Sequence, residues 1–258
     1  MTITLNMIDS LTIANEIMGD GEPVLLLHGW MCRIEHMQPV GQRLAKLGYR
    51  VHILDLPGFG RSTLPSEVWG VPEYARFVAH YLDHVNLKPT HLIGHSFGGR
   101  ISIVLGADYP EYVKKIVLTD SAGVPFPQTR SQQLRQGVFQ AVGAVLSVPG
   151  LKMFEPGFRR WARDRFGSQD LRKAGALEPI FRVVVRQDLR PYAARIKAPS
   201  LLVWGDQDQD TPLWQGQVLE KTIPNAKLIV FQGAGHFAYQ ERITEFVPTV
   251  DTFLRSTP

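Results

Sequence analysis

Cysteine is almost missing from this chain, which carries Cys32 as its one thiol. That excludes an intrachain disulfide and a cysteine-built zinc site, and it fits a reducing compartment. No apolar run approaches the roughly eighteen residues a membrane-crossing helix needs, so no membrane span is expected. The N-terminal stretch MTITLNMIDS lacks the basic-then-apolar order of a secretory leader, and a cytoplasmic location is the expectation. Strand signals are missing over most of 122–197, and acidic residues are scarce there too. That stretch holds 14 Lys and Arg against 5 Asp and Glu, a balance of +9, while the rest of the chain carries 14 against 19, or −5. The asymmetry marks a separate unit. The basic residues are dispersed and no nucleic-acid module is recognisable, so no nucleic-acid partner is expected.

What the sequence does have is organised around residues 90–106, THLIGHSFGGRISIVLG. An apolar run reaches Gly94-His95-Ser96-Phe97-Gly98, and a segment with Ile101, Val104 and Leu105 at helical spacing follows at once. This reads as a buried strand, a very tight turn and a helix packed back on the sheet. Ser96 sits on the turn, where glycines on either side let the backbone adopt a strained conformation and expose the serine oxygen at the strand's carboxyl end.

The rest alternates strand and helix. Residues 2–6 and 11–17 read as half-exposed antiparallel strands, and 24–27, 51–54, 113–119, 200–204 and 227–231 as buried ones. With the central strand that makes eight. Helices are expected over 37–47, 72–85, 213–222 and 242–254. Inside 122–197 the periodicity predicts helices over 131–148, 156–166 and 177–188, with 183–185 as the only alternative strand. The whole implies an α/β protein: a mostly parallel eight-stranded sheet with helices on both faces, formed by 1–121 and 198–258, plus an inserted helical cap over 122–197.

Three further stretches fall at strand ends: His28-Gly29-Trp30, 204–212 (WGDQDQDTP) and 233–237 (GAGHF). Together with the loop at 56–62 (LPGFGRS) and the GHSFGG turn, in this order, they resemble the α/β-hydrolase fold family over nearly the whole chain. The resemblance implies Ser96 as nucleophile, Asp208 as acid and His236 as base, with an oxyanion hole from the backbone N–H groups of Trp30 and Phe97. The chemistry needs all three residue types. Serine is a weak nucleophile until a base takes its proton, imidazole does this near its own pKa, and a carboxylate fixes the imidazole tautomer. Asp206 and Asp210 crowd Asp208, and Asp120 ends the preceding strand, so these remain alternative acids.

His28, His95, Phe139, Phe154, Phe158, Trp161 and Phe237 are candidate substrate-pocket residues. No metal is expected: His80 and His84 have i, i+4 spacing, yet no third ligand suggests itself. No cofactor is expected either, because Gly58-Phe59-Gly60 lacks the remainder of a dinucleotide fingerprint. Cys32 reads as a core or pocket-wall thiol. Serine at the elbow argues against the dehalogenase and epoxide-hydrolase branches, which carry aspartate there. The expectation is a serine hydrolase of small-molecule carboxylic esters, monomeric or homodimeric. Alternatives are hydrolysis of a carbon–carbon bond in a vinylogous diketo acid, and a slow-turnover small-molecule receptor.

Overall fold

A computed structural model of the chain describes residues 2–127, 141–142, 145–146, 148, 152–166 and 169–257. Eight strands form one sheet in the order β1-β2-β4-β3-β5-β6-β7-β8. They are β1 (Ile3–Ile8), β2 (Leu11–Met18), β3 (Glu22–Leu27), β4 (Tyr49–Leu54), β5 (Thr90–His95), β6 (Val113–Thr119), β7 (Ser200–Gly205) and β8 (Ala226–Phe231). β1 pairs antiparallel with β2, and β2 with β4; every other pairing is parallel. The pattern follows from composition. The parallel strands β5 and β7 are buried along their whole length and β3 from Val24 onward, as strands covered on both faces are, whereas β1 stands half exposed at the edge.

After β3 the chain moves outward to β4 and then crosses back to β5 on the other side of β3. Connections on the two sides of β3 therefore leave in opposite directions, the topology at which open α/β sheets place their sites, at the carboxyl ends of the strands. The turn after β3 and the turn after β5 both lie at that end of the sheet.

Helix α1 spans Ile34–Lys46, beginning three residues before the expected start and enclosing Pro39. The reason is long-range: the Asp55 carboxylate, at the end of β4, accepts the Ile34 N–H at 2.7 Å and so caps the helix from 21 residues away. Helix α2 (Val71–His84) and helix α3 (Phe97–Asp108) lie close to their expected places. The last helices are Leu213–Thr222 and Ile243–Arg255, the latter preceded by a short turn of helix, Ala238–Glu241. On one face of the sheet, Val24, Leu26, Ile93, Val117 and Val203 pack with Met37, Leu44, Phe246 and Val250 into one apolar cluster. Truncating a residue such as Leu26 to Ala is expected to cost about 2–5 kcal/mol.

The chain divides into two compact units, Met1–Val124 with Val183–Pro258, and Pro125–Arg182. The expected boundaries of the insertion, 122 and 197, are thereby corrected inward. Residues 183–197 belong with the sheet, for a reason no periodicity could reveal. The expected helix over 177–188 ends at Val184, where the guanidinium of Arg100 on α3 takes the carbonyls of Val184 (2.9 Å) and Gln187 (3.2 Å). The Leu189 N–H then donates to the Gly123 carbonyl, and the Gln187 side chain accepts the Val71 N–H at the start of α2. Residues 183–185 form no strand.

Within Pro125–Arg182 the described elements are helical: Lys152–Phe154, Glu155–Phe166, Gln169–Lys173 and Gly175–Leu177, with Glu178–Val184 running out of it. The expected helix over 131–148 lies mostly outside the described residues, although 141–142 and 145–146 are helical.

Candidate active site

Ser96 stands between β5 and α3 with φ 49° and ψ −105°, a conformation a side-chain-bearing residue rarely adopts. Three backbone bonds hold it there. Its N–H donates to the Thr119 carbonyl, and its own carbonyl accepts the N–H groups of Arg100 and Ala122. Two glycines make the turn sterically feasible. A Cβ on Gly94 would lie 2.5 Å from Ser102 Oγ, and one on Gly98 would lie 2.1 Å from the Leu27 carbonyl oxygen. The latter approach seats the first turn of α3 against the end of β3. Phe97 opens α3, so its N–H belongs to the first-turn donors that no helical carbonyl can take. Trp30 follows β3, and its ring packs edge-on against Phe59 and Phe97.

The loop after β7 folds back on its own strand, because the buried Trp204 indole N–H donates to the Thr211 carbonyl at 2.7 Å. That fold brings Asp208 inward. One carboxylate oxygen accepts the N–H groups of Asp210 (2.8 Å) and Thr211 (3.0 Å); the other lies 2.6 Å from Thr211 Oγ1 and 2.9 Å from His236 Nδ1. Burial pushes the Asp208 carboxyl up, but the hydrogen bond and charge of His236 with the Thr211 donors outweigh it and hold it below the usual range. Burial likewise pushes His236 down, and the bond and charge of Asp208, helped by Asp120 and Asp210, leave it above an ordinary histidine. An imidazole so held presents Nε2 as its reactive nitrogen. His95, the residue before Ser96, bonds the His236 carbonyl, which sets the serine turn and the histidine loop side by side.

The competing acids have other partners. Asp120 is buried, accepts the Gly205 N–H at 2.8 Å and the Ala238 N–H at 3.1 Å, and so ties the ends of β6 and β7 to the helical turn after His236. Burial, opposed by the Gly205 N–H and reinforced by the Asp208 charge, pushes it up to about 8. Asp206 accepts the Gly233 N–H, and Asp210 is exposed. Thr211 escaped the sequence reading, although its place three residues after Asp208 is the spacing at which a hydroxyl and N–H return to an Asp side chain.

His28 and His95 were expected to line the substrate pocket, and the structure corrects this, since both are fully buried. His28 donates from Nδ1 to the Gly29 carbonyl and accepts the Leu56 N–H on Nε2, with burial the main cause of a pKa near 4. Phe237 is half-buried beside His236. Phe154 and Trp161 are exposed, Phe158 stacks near Trp161, and Phe139 lies outside the described residues. Cys32 is buried. His80 pairs with Asp9. Among the described residues, the cluster with metal-ligating spacing is Asp208, Asp210 and His236, in which Asp208 already spends both oxygens as described. No helix among them is long and apolar enough to cross a membrane.

Known proteins resemble the chain over most of its length. The chain is 28% identical to Lipase 1 of Psychrobacter immobilis, over 98% of this chain and 83% of that protein. It is 30% identical to 2-hydroxymuconate semialdehyde hydrolase of Pseudomonas putida, over 92% and 88%. An esterase of Exiguobacterium antarcticum superposes with a TM-score of 0.76 at 22% identity, over 98% of this chain and 99% of that one, a likeness of fold. A family model described as the alpha/beta hydrolase family matches residues 24–249. With a mostly parallel sheet, a serine on the elbow after β5 and a carboxylate–imidazole pair on the loops after β7 and β8, the chain belongs to the alpha/beta hydrolase family.

Proposed function

We propose that the protein is a serine hydrolase that cleaves carboxylic esters of small molecules through an acyl-enzyme. The observation that carries this reading is the 2.9 Å bond between Asp208 Oδ2 and His236 Nδ1 beside the strained Ser96 turn. In the proposed reaction His236 Nε2 takes the Ser96 proton as Oγ attacks the ester carbonyl. The backbone N–H groups of Trp30 and Phe97 receive the oxyanion, each donor lowering the barrier by about 3 kcal/mol. His236 then returns the proton to the leaving alcohol, and a water, deprotonated by the same imidazole, releases the acid. Asp208 stays ionised throughout and stabilises the imidazolium. In this reading Pro125–Arg182 is a cap. Labelling of Ser96 by a fluorophosphonate, followed by kcat/KM over short and long nitrophenyl esters, tests the proposal. Failure to label Ser96, or labelling without turnover of any ester, counts against it; the second result points to a receptor.

A second reading is favoured by the relative from Pseudomonas putida, whose name is that of a hydrolase of 2-hydroxymuconate semialdehyde. The same three side chains would then cleave a carbon–carbon bond beside a ketone. A vinylogous diketo acid supplied with the ester panel separates the two, because the preferred substrate has the higher kcat/KM.

A further inference from the structure

The proposed chemistry leaves the side chain of His95 without a task, yet its ring meets three loops at once. Its Nε2 lies 2.8 Å from the carbonyl oxygen of His236. A carbonyl only accepts, so Nε2 carries the proton and Nδ1 is the lone-pair nitrogen. Nδ1 is buried and makes no hydrogen bond among the described residues. It faces the backbone of Gly29, where a Cβ would stand 2.6 Å from it and 3.3 Å from Ser96 Cβ. The ring centroid is 4.9 Å from that of His236, 5.0 Å from Phe237 and 4.8 Å from Tyr239. One rigid ring thus joins the turn after β3, the elbow after β5 and the loop after β8. Burial foremost, then the neighbouring His236, lowers the His95 pKa to about 3, with Asp208 and His28 the other ionisable groups acting on it. The ring stays neutral over the working range, and its donor is permanent.

A mere space-filler would not need that donor, and an apolar ring would not strand a nitrogen in the core. We infer that His95 is a positioning residue: its Nε2–H holds the His236 main chain and so sets the angle at which His236 Nε2 meets Ser96 Oγ. The inference rests on the reading of Ser96, His236 and Asp208 given above. A misplacement of about 1 Å between such reacting groups lowers a rate about 100-fold, which sets the scale of the test.

Two variants divide donor from bulk. His95→Gln places an amide N–H near the position of the imidazole Nε2, and His95→Phe keeps a ring without a donor. Fluorophosphonate labelling of Ser96 is expected to slow by about 10- to 100-fold in His95→Phe, with kcat for an ester falling in parallel and KM within about twofold. His95→Gln is expected to stay within about fivefold of the parent on each measure. The acid limb of kcat/KM should also move down in His95→Phe, because a loosened His236 loses part of the support of Asp208. A Phe variant with the parent's labelling rate and pH profile overturns the inference, as does a Gln variant as slow as the Phe one. An unlabelled parent counts against the triad itself, whereas a labelled parent with an equally fast Phe variant counts against His95 alone. Nitrogen NMR of the parent protein needs no variant to fold: the His95 ring must be Nε2-protonated and neutral from pH 5 to 9, and an Nδ1-protonated ring overturns the inference.

Discussion

The two compact units of this chain differ in almost every property that sequence patterning reads. Met1–Val124 with Val183–Pro258 carries 18 Lys and Arg against 20 Asp and Glu, and buries whole strands; Pro125–Arg182 carries 10 against 4, a balance of +6. Among its described residues the second unit leaves large apolar side chains open, with Met153 78% exposed and Phe126, Phe154 and Trp161 more than half exposed. The sheet unit contains every residue of the proposed chemistry. Each proposed role is therefore tested in its own unit: the chemistry in the sheet unit, and a part in substrate choice in the insertion. Local patterning is also informative in the first and weak in the second, because a strand buried on both faces leaves a continuous apolar run, while short amphipathic helices leave a pattern that several packings satisfy.

Removing the proposed chemistry from the sheet unit is expected to have the largest effect. Ser96→Ala and His236→Ala are each predicted to lower ester kcat by about 10⁴- to 10⁶-fold, and the double variant by little more, since groups that act as one unit are non-additive. Additive losses, measured in single-turnover assays of purified protein, would separate the two residues. Next in size is the acid. Asp208→Asn is predicted to cost about 10⁴-fold through a misoriented His236, with Asp120→Asn, Asp206→Asn and Asp210→Asn milder. A severe Asp120→Asn phenotype with an active Asp208→Asn would move the acid to the end of β6.

Two predictions concern pH. His236 must be neutral to act as base and its pKa is raised, so kcat/KM should rise with pH through an acid limb above 6.5. A limb below 6.5 contradicts the Asp208–His236 pairing. Asp120 acts on stability instead. Its folded pKa of about 8 exceeds the ordinary 3.8, so between these values the folded state holds a proton that the unfolded state has released. Stability should therefore fall as pH rises from about 4 to about 8, and Asp120→Asn should flatten that slope in urea titrations. A slope unchanged by the substitution removes Asp120 as its source.

The smallest predicted effect tests the insertion. Its basic balance is predicted to favour esters bearing a remote carboxylate by roughly tenfold or less at low salt, and to lose that advantage near 1 M salt, where the Debye length is about 3 Å. Exposed Arg160 is the first residue to change, as Arg160→Gln with Arg163→Gln. An anionic ester with no advantage at low salt leaves these arginines no part in substrate choice.

Much of this protein was legible in its amino-acid order. Strand and helix alternation, the glycines around Ser96 and the sequence of motifs from His28 to His236 are local signals, and local sterics and burial period determine them. What required the tertiary structure is what depends on groups distant in the chain. Asp55 extends α1 backwards, and Arg100 ends the helix at Val184 and returns 183–197 to the sheet unit. Crowding of carboxylates left the acid open in the sequence, and only the meeting of two loops gave Asp208 the His236 partner and Asp120 a backbone-bracing one. His95 is the sharpest instance. The sequence placed it beside the nucleophile and therefore at a pocket wall, but whether a side chain on a tight turn faces ligand or core is decided by what packs against it, here Gly29 on one side and the His236 carbonyl on the other.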